Sequence, residues 1–481
     1  MENVFERRPW LVPVALAVLT VVLFKGVLFP LEAGQVLDGK DLPAMFYPLQ
    51  EYIRQSLQAG DLPLWNPRQF IGYPIIGNPH AALFYPASWF VWLIGVQRGI
   101  GLMLVFHTWL GAWGMERFAR GFGASRTGSL LAGVVFAMSG RAGGHYYAGH
   151  YNLLMVMAWI PWALAASHFA LERRTWWAVL PGVAVVALSL LAGYPPLLLY
   201  LGASWIVLWG YHTLLAANRV RIGFGAGLRL IAIGLGGMLL AAALVLPTMQ
   251  LSNLSSREPG NLEFANRYAL PPAHYLTLLV PGLFGTPQGE YWGTGHYEEY
   301  GLYAGLLPLL AVGLALLWPR RENAYFLALI AIGLAFSIGL EGALMPLLVQ
   351  WIPILAMFRV PARALLLTTI GMAGLTALLI TALQTSTPDE RRVRLQRLLH
   401  LWLPMGVIVV LALALFFAGQ HAGLAPDEER SSRLFTVSGA LAKTGVIGVG
   451  VWLILWLWTW PGKRAAQWAL ILTSLFIIID A

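Results

Sequence analysis

Residues 11–28 read LVPVALAVLTVVLFKGVL, an apolar run that directly follows Arg7 and Arg8. A run of about 20 apolar residues is long enough to cross the ~30 Å hydrocarbon core of a bilayer as a helix. It lacks the short apolar region and the small-residue cleavage site of a secretory signal peptide. We therefore predict that this run stays in the protein as its first membrane span.

The rest of the chain has the same character. Of its 481 residues, 58% are hydrophobic and 11% are charged, and there is no cysteine. A soluble domain carries roughly a quarter of charged residues. Disulfides, thiolate metal sites and cysteine nucleophiles are excluded. We predict an all-α polytopic membrane protein, with about 13 helical spans in a single transmembrane domain that covers residues 1–481. The predicted spans are 10–29, 99–117, 127–139, 152–171, 176–193, 197–216, 228–249, 300–318, 324–340, 364–384, 401–419, 437–460 and 467–481.

The distribution of basic residues predicts the orientation. With the N-terminus in the cytoplasm, more than half of the 31 Lys and Arg residues fall in cytoplasmic segments, as the positive-inside rule requires. An odd number of spans then places the C-terminus outside. The long connections, 31–98, 250–299 and the shorter 341–363, all lie on the outer side. They are rich in aromatic residues, so we expect amphipathic helices and turns there, forming the working surface.

Asp38 and Asp41 come directly after the first span, and Pro43 follows them. In one interpretation they cap the helix that begins at Pro43, because Asp is favoured at the N-cap and Pro at the first helical position. In the other, one of them is a general base, or a ligand of a cation that bridges a donor phosphate. A carboxylate beside an apolar surface has a raised pKa, which suits a base.

The first outer segment resembles a known family. Aromatic-Pro and Trp-Asn-Pro strings follow Asp41 in a characteristic order: Phe46-Tyr47-Pro48, Gly60-Asp61-Leu62-Pro63-Leu64-Trp65-Asn66-Pro67, Gly72-Tyr73-Pro74 and Phe84-Tyr85-Pro86. This order resembles the opening of YfhO-type bacterial membrane proteins. That family is similar to the GT-C superfamily of polyprenyl-phosphate-sugar-dependent glycosyltransferases. The better-known members of the family are longer and carry an outer domain after their last spans.

The resemblance implies a GT-C-like fold, a place in the bacterial cytoplasmic (inner) membrane within the cell envelope, and a transferase activity. The donor would be a polyprenyl-phosphate sugar, and the acceptor would be a glycan, lipid or protein on the outer face. In the superfamily an acidic residue of the first outer loop is the usual base, which on this sequence points first to Asp41 and second to Asp38. The pair is not Asp-x-Asp. We assign no metal ligands, and a divalent cation such as Mg²⁺ or Mn²⁺ stays open.

Two further outer segments match the family's pattern. His145 and His150 lie in a glycine-rich stretch that we predict to be a short loop. There they contact substrate or pack within the loop; ligation of a metal is the third interpretation. Glu298 and Glu299 precede an aromatic-Gly helix start. Charged groups at a span entry are costly unless they are solvated or functional, and we take Glu299 as the second catalytic carboxylate.

Arg359 and Arg363 flank Pro361 at the start of a span on the outer side, against the positive-inside trend. Four residues apart, they share a helix face if the helix includes both. They anchor to lipid headgroups or bind an anion, and we assign them to the donor phosphate, with Arg257 as a third phosphate-binding candidate. His107, His168 and His212, in or near spans, are expected to pack rather than to act.

Two other functions remain open. A transporter or flippase for lipid or polysaccharide would carry charges in mid-span and internal repeats, whereas most charges here lie in loops. A non-enzymatic subunit of a membrane complex would need none of the candidate residues. The chain offers no soluble basic face for nucleic acid, and the partners we expect are membrane lipids, the donor and the acceptor.

Overall fold

Helices make up most of the computed structural model, which describes residues 4–29, 36–69, 71–214, 216–254, 261–318, 320–393, 395–396 and 428–480. The sheet in these ranges is a two-stranded antiparallel hairpin, in which Trp65–Asn66 pairs with Tyr73–Pro74. The described α-helices are Val4–Arg7 (α1), Leu11–Leu23 (α2), Lys25–Leu28 (α3), Tyr47–Gln58 (α4), Ser88–Ile94 (α5), Val96–Gly121 (α6), Arg126–Met138 (α7), Gly140–Ala148 (α8), Tyr151–Arg173 (α9), Leu180–Leu191 (α10), Leu198–Thr213 (α11), Arg219–Leu240 (α12), Ala242–Asn253 (α13), Leu262–Asn266 (α14), Leu306–Leu317 (α15), Arg321–Ser337 (α16), Leu344–Trp351 (α17), Leu365–Thr385 (α18), Glu428–Trp458 (α19) and Lys463–Asp480 (α20).

Short helices of other types complete the chain. A π-helix covers Leu42–Phe46, and 3-10 helices cover Pro79–Ala81, Trp176–Val179, Pro195–Leu197, Pro272–Leu278, Tyr297–Glu299, Gly339–Glu341, Pro353–Met357 and Pro361–Ala364. The long outer segments therefore fold as short helices and turns, as predicted, with the hairpin as an addition.

Several helices are built to lie in a membrane. By length and composition, four helices among the described residues can cross one: Tyr151–Arg173, Arg219–Leu240, Pro361–Thr385 and Phe435–Trp458. Shorter apolar helices cover Leu11–Leu23, Trp176–Leu191 and Leu306–Leu317. Many large apolar side chains, such as Val220 and Leu239, are exposed, and a soluble monomer rarely exposes so many. The chain is an all-α, multi-pass membrane protein. The number of spans stays a prediction, and span 401–419 lies outside the described residues.

Three predictions of helix extent or type are wrong. The span placed at 300–318 begins later, at Leu306, and residues 301–305 before it are not helical. The span placed at 228–249 begins earlier, at Arg219, and ends at Leu240; the chain then breaks at Ala241 and continues as α13. The glycine-rich stretch placed in a short loop forms α8, with the side chain of Ser139 as its N-cap and Gly149 after its last turn. Glycine weakens a helix by roughly 1 kcal/mol per residue, so propensity alone argues against α8, and packing decides in its favour.

Burial separates central from peripheral helices. The apolar windows of α18 and α9 are 83% and 72% buried, whereas those of α12 and α19 are 28% and 33% buried. The main interfaces join α6 to α7 and α9, and α18 to α7 and α16. The central four, α6, α7, α9 and α18, thus pack on protein, and α12 and α19 present apolar side chains to lipid.

Small residues allow the central helices to pack closely. A Cβ atom on Gly133 would lie 2.5 Å from the carbonyl oxygen of Ala112, and one on Gly128 would lie 2.5 Å from that of Ala377. Lipid tails are as apolar as side chains, so membrane helices associate largely through this kind of close fit. The Gly residues of α7 thereby fix its position between α6 and α18.

The bundle has two chemically different ends. At one end, α9 and α18 begin and the segments 36–98 and 261–303 fold; we call it the Asp41 end. At the other, the Arg126 end, α6 and α9 finish, and Glu6 Oε2 lies 3.2 Å from Arg126 Nε. The residues predicted to be cytoplasmic and those predicted to be external thus gather at opposite ends. Which end faces the cytoplasm stays a prediction.

Candidate active site

The first outer segment presents Asp41 at the start of a helix. The π-helix Leu42–Phe46 continues directly into α4, so a helix does begin close to Pro43. Asp41 occupies the N-cap position, but its side chain makes no capping hydrogen bond. The capping interpretation is therefore wrong for Asp41. Asp38 is exposed, and its Oδ1 accepts a hydrogen bond from the backbone N–H of Gly39 at 2.9 Å.

A close backbone contact brings Asp41 to the start of α9. A Cβ atom on Gly39 would lie 2.9 Å from the Cα of Gly149, and Gly149 has a φ of +72° that favours glycine. Because the two glycines touch, Asp41 and His150 become neighbours, and the distance from Asp41 Oδ2 to His150 Nε2 is 3.5 Å. Two residues more than 100 positions apart in sequence thus meet at one point.

His145 and His150 extend this contact inward. Their Nδ1 atoms lie 2.8 Å apart, and the His145 side chain is fully buried. Burial lowers the pKa of His150 to about 3, and the nearby Arg363 and Arg141 add to that shift. Burial also lowers the pKa of His145 well below its usual value, with Arg141 as the next cause. Both imidazoles are therefore neutral at neutral pH, and they form a line of ring nitrogens behind Asp41.

The surroundings of Asp41 adjust its acidity. Burial raises its pKa, and the negative charge of Glu298 raises it further. The positive charges of Arg363, Lys40 and Arg359 act in the opposite direction. The raised pKa agrees with the expectation from the sequence, and it makes Asp41 a better proton acceptor than an ordinary aspartate.

Glu299 lies at the centre of a buried ion-pair group. Its carboxylate accepts hydrogen bonds from Arg141 Nη2 at 3.0 Å and from Arg363 Nε at 3.1 Å, and also from Arg363 Nη2. All three side chains are less than one-tenth exposed. Burial raises the pKa of Glu299 to about 7, and Arg141 opposes that rise by its charge and its hydrogen bond. The group joins α8, the Tyr297–Glu299 turn and the start of α18.

Arg359 and Arg363 do not share a helix face. The helical turn begins at Pro361, and Val360 before it has a φ of +69°, so the condition that both arginines belong to one helix is not met. Arg363 is buried, lies over the ring of Tyr194 at 5.0 Å and binds Glu299. Arg359 is exposed. The arginine that can reach a ligand directly is thus Arg359, while Arg363 acts on the site through its charge.

Sequence reasoning missed two charged residues of the site. Arg141 binds Glu299, and Lys40 Nζ lies 3.4 Å from Glu298 and 5.3 Å from the centre of the Tyr147 ring. Lys40 and Arg141 are basic residues on the side where the positive-inside rule disfavours them, which is the signal that drew attention to Arg359 and Arg363. Glu298 was seen, but the choice of Glu299 over it rested on resemblance.

The site also contains donors for a metal ion. One donor atom each from His145, His150 and Glu299 lies within 4.8 Å of the others. Mg²⁺ prefers oxygen ligands, and two of these donors are imidazoles. Both oxygens of Glu299 also accept from arginines, whose charges repel a cation. The donor set therefore does not fit Mg²⁺, and we route no step through a divalent cation. Arg257 lies outside the described residues.

The described site combines a carboxylate of raised pKa with a group of cations. Asp41 is partly exposed, and Lys40 and Arg359, whose positive charges act on it, are exposed. A carboxylate of this kind accepts a proton, and guanidinium and ammonium groups stabilise a phosphate.

Comparison with known proteins gives a limited result. No protein-family model and no curated protein matches the chain, so the resemblance to the YfhO type stays a prediction. The fold is similar to the crystal structure of ArnT from Cupriavidus metallidurans bound to undecaprenyl phosphate. The match has a TM-score of 0.49 and 14% sequence identity, and it covers 98% of this chain and 76% of that one. The apo structure of the same protein matches at 0.49 and 13%, covering 97% and 75%.

Proposed function

We propose that the chain is a membrane glycosyltransferase that moves a sugar from a polyprenyl-phosphate donor to an acceptor at the Asp41 end. The observation that carries this proposal is the uncapped, partly exposed carboxylate of Asp41, on which the positive charges of the exposed Lys40 and Arg359 act. The aromatic-Pro strings that follow Asp41 add the donor class, by resemblance to YfhO-type and GT-C proteins. The sugar and the acceptor are not part of the proposal.

Each group has a defined task in the transfer. The acceptor hydroxyl gives its proton to Asp41, and its oxygen forms a bond to the anomeric carbon of the donor sugar. The bond between that carbon and the phosphate oxygen breaks, and polyprenyl phosphate leaves with the bonding electrons. Asp41 then returns the proton to water. Arg359 and Lys40 stabilise the negative charge that grows on the leaving phosphate.

The buried groups hold these residues in place. Glu299 fixes the guanidinium of Arg363, whose positive charge favours the ionised form of Asp41. His150 is neutral, so it contacts Asp41 without neutralising it. In this proposal Glu299, Arg363, His145 and His150 position the base and shape its field, and Asp41 touches the acceptor. Glu299 changes from a second catalytic carboxylate to a positioning residue, since both of its oxygens are already bonded.

Binding of undecaprenyl phosphate tests the phosphate site. A hydrogen bond to a charged group contributes about 1.5–3 kcal/mol, so Arg359→Ala should weaken the affinity for this lipid about tenfold or more. Native mass spectrometry of the detergent-solubilised protein measures the bound fraction. Arg98→Ala is the matched control, since Arg98 is also exposed at the Asp41 end but is not among the charges that act on Asp41.

Equal affinity in the Arg359→Ala variant and the wild type would exclude Arg359 as a phosphate contact. Arg363→Ala is a poorer test, because it leaves Glu299 buried without its partner, and breaking a buried pair costs about 3–5 kcal/mol. A flippase or a non-catalytic subunit would also bind the lipid, so binding alone does not distinguish them; loss of turnover in an Asp41 variant does.

A further inference from the structure

The Arg126 end brings together three side chains whose donor atoms suit a metal ion. His168 and Glu172 lie on α9, four residues apart, and His212 lies on α11. His168 Nδ1 is 3.1 Å from His212 Nε2, and His212 Nδ1 is 3.6 Å from Glu172 Oε1. The two histidines that were expected only to pack therefore contact each other and a carboxylate.

The contacts of His168 prepare one nitrogen for a ligand. Its Nε2 lies 3.0 Å from the carbonyl oxygen of Gly121, which can only accept a hydrogen bond. The proton therefore sits on Nε2, and Nδ1 carries a lone pair directed toward His212. The ring is held flat against Phe122, with centroids 4.5 Å apart and planes 11° apart. An imidazole bonded to a backbone carbonyl through its other nitrogen is the usual arrangement of a metal-ligating histidine.

The remaining donors complete a three-ligand set. One donor atom each from His168, Glu172 and His212 lies within 4.8 Å of the others. Ligands of a tetrahedral zinc ion, bound at about 2.0–2.1 Å, are separated by about 3.3 Å. Glu172 is 60% exposed. Its carboxylate can therefore move from a separation of at most 4.8 Å from the other donor atoms to the about 3.3 Å that zinc ligands require. Water can also reach the ion.

We propose that His168, Glu172 and His212 form a binding site for a divalent transition metal ion of the Zn²⁺ type. Two imidazoles, one carboxylate and a solvent molecule are a ligand set that zinc accepts. The ion ties the end of α9 to the end of α11, two helices that are also joined by a hydrogen bond of 2.9 Å from Trp205 Nε1 to Ser167 Oγ. The site is separate from the transfer chemistry proposed for the Asp41 end.

The charges around the two histidine clusters explain why the metal belongs here. At the Asp41 end, Glu299 is committed to two buried arginines. At the Arg126 end, the positive charges of Arg321 and Arg174 act on His212, but the Arg321 guanidinium lies over the Tyr211 ring at 4.5 Å and donates to the Tyr211 carbonyl. Within the part of the chain that the structure describes, Glu172 pairs with His212 and is 60% exposed, so its charge is available to a cation.

Metal content and spectroscopy test the proposal on the full chain. The protein, purified through a tag without histidine, is stripped with a chelator, reconstituted in lipid nanodiscs and dialysed against Zn²⁺. We expect elemental analysis to find one equivalent of zinc that is lost in Glu172→Gln and in His212→Gln, with affinity at least about 10-fold weaker in each. Co²⁺ in place of Zn²⁺ should give the visible absorption of a four-coordinate ion without sulfur bands, as the chain has no cysteine.

His150→Gln is the control for the cluster at the Asp41 end, and this variant should still bind one equivalent of zinc. Glu172 is exposed, so its substitution is not expected to disturb folding, and circular dichroism verifies the helix content. The proposal is overturned if Glu172→Gln and His212→Gln bind zinc as tightly as the wild type. It is also overturned if the equivalent disappears only in His150→Gln.

Discussion

At the scale of single residues, the acidity of Asp41 is the property on which the proposed chemistry depends. The carboxylate must be ionised to accept a proton, so turnover should rise with pH through the pKa of Asp41. Burial and the charge of Glu298 raise that pKa. Burial and the charge of Glu298 therefore help to set the pH at which turnover falls on the acid side of the pH profile.

Removing the charge of Glu298 should move that acid side. In Glu298→Gln the negative charge that raises the pKa of Asp41 is gone, and Lys40 loses the carboxylate 3.4 Å from its Nζ. Both changes lower the pKa of Asp41, so the acid limb of kcat/KM should shift to lower pH. Glu51→Gln, on the neighbouring helix α4, is the control and should leave the limb in place. If the acid limb of kcat/KM keeps its position in Glu298→Gln, ionisation of Asp41 does not control the rate, which contradicts its role as the base.

At the scale of elements, the packing of α8 decides whether the buried ion pairs can form. Gly140 donates its N–H to the carbonyl oxygen of Tyr303 at 2.7 Å. A Cβ atom on Gly144 would lie 2.7 Å from the carbonyl oxygen of Glu298. The absence of side chains at these positions, one helical turn apart, lets α8 touch the backbone of the Glu298 segment. Arg141 and His145, which lie between and beside them, then reach Glu299 and His150.

Two neighbouring glycines of α8 give a matched pair of substitutions. Gly144→Ala should force α8 away from Glu298 and cost about 1–3 kcal/mol, with a lower thermal midpoint and reduced transfer. Gly143→Ala meets nothing within 4 Å, and alanine favours a helix over glycine by about 1 kcal/mol. This variant should be as stable as the wild type or more so. Similar midpoints for the two variants would contradict the packing described for α8.

At the scale of the whole molecule, the sequence predicted which segments are helices better than it predicted which segments contact one another. Apolar runs and turn residues located most helices, because membrane thickness and backbone hydrogen bonding constrain spans strongly. The start of α12 was missed, because Arg219, Arg221 and Arg229 interrupt its apolar pattern. Helix α8 was missed because its three glycines argue against a helix, and only contacts distant in sequence reverse that preference.

The candidate site was predictable in its residues and not in its pairings. Asp41, His145, His150, Glu299 and Arg363 do gather at one end, as charged and polar residues at span ends suggested. No spacing in the sequence could show that Glu299 binds Arg141 and Arg363, since those contacts span 158 and 64 positions. The positive φ of Val360, which keeps Arg359 out of the helical turn that contains Arg363, could not be predicted from the sequence either.

The orientation of the whole molecule can be tested with single cysteines, because the chain has none. Ala59, at the Asp41 end, and Ala217, at the Arg126 end, are both exposed. In intact cells a membrane-impermeant maleimide should label Ala59→Cys and leave Ala217→Cys unlabelled until the membrane is opened. The reverse pattern would place the Asp41 end in the cytoplasm and overturn the orientation derived from the basic residues.

The most direct test of the proposed transfer measures undecaprenyl phosphate released by Asp41→Asn. Proteoliposomes receive undecaprenyl-phosphate-linked hexoses and pentoses, with lipids extracted from bacterial membranes as acceptors, and mass spectrometry follows the released lipid. The wild type should release undecaprenyl phosphate, and Asp41→Asn should lose about 100-fold or more of that rate while binding undecaprenyl phosphate with wild-type affinity. Release at the wild-type rate by Asp41→Asn would contradict the account.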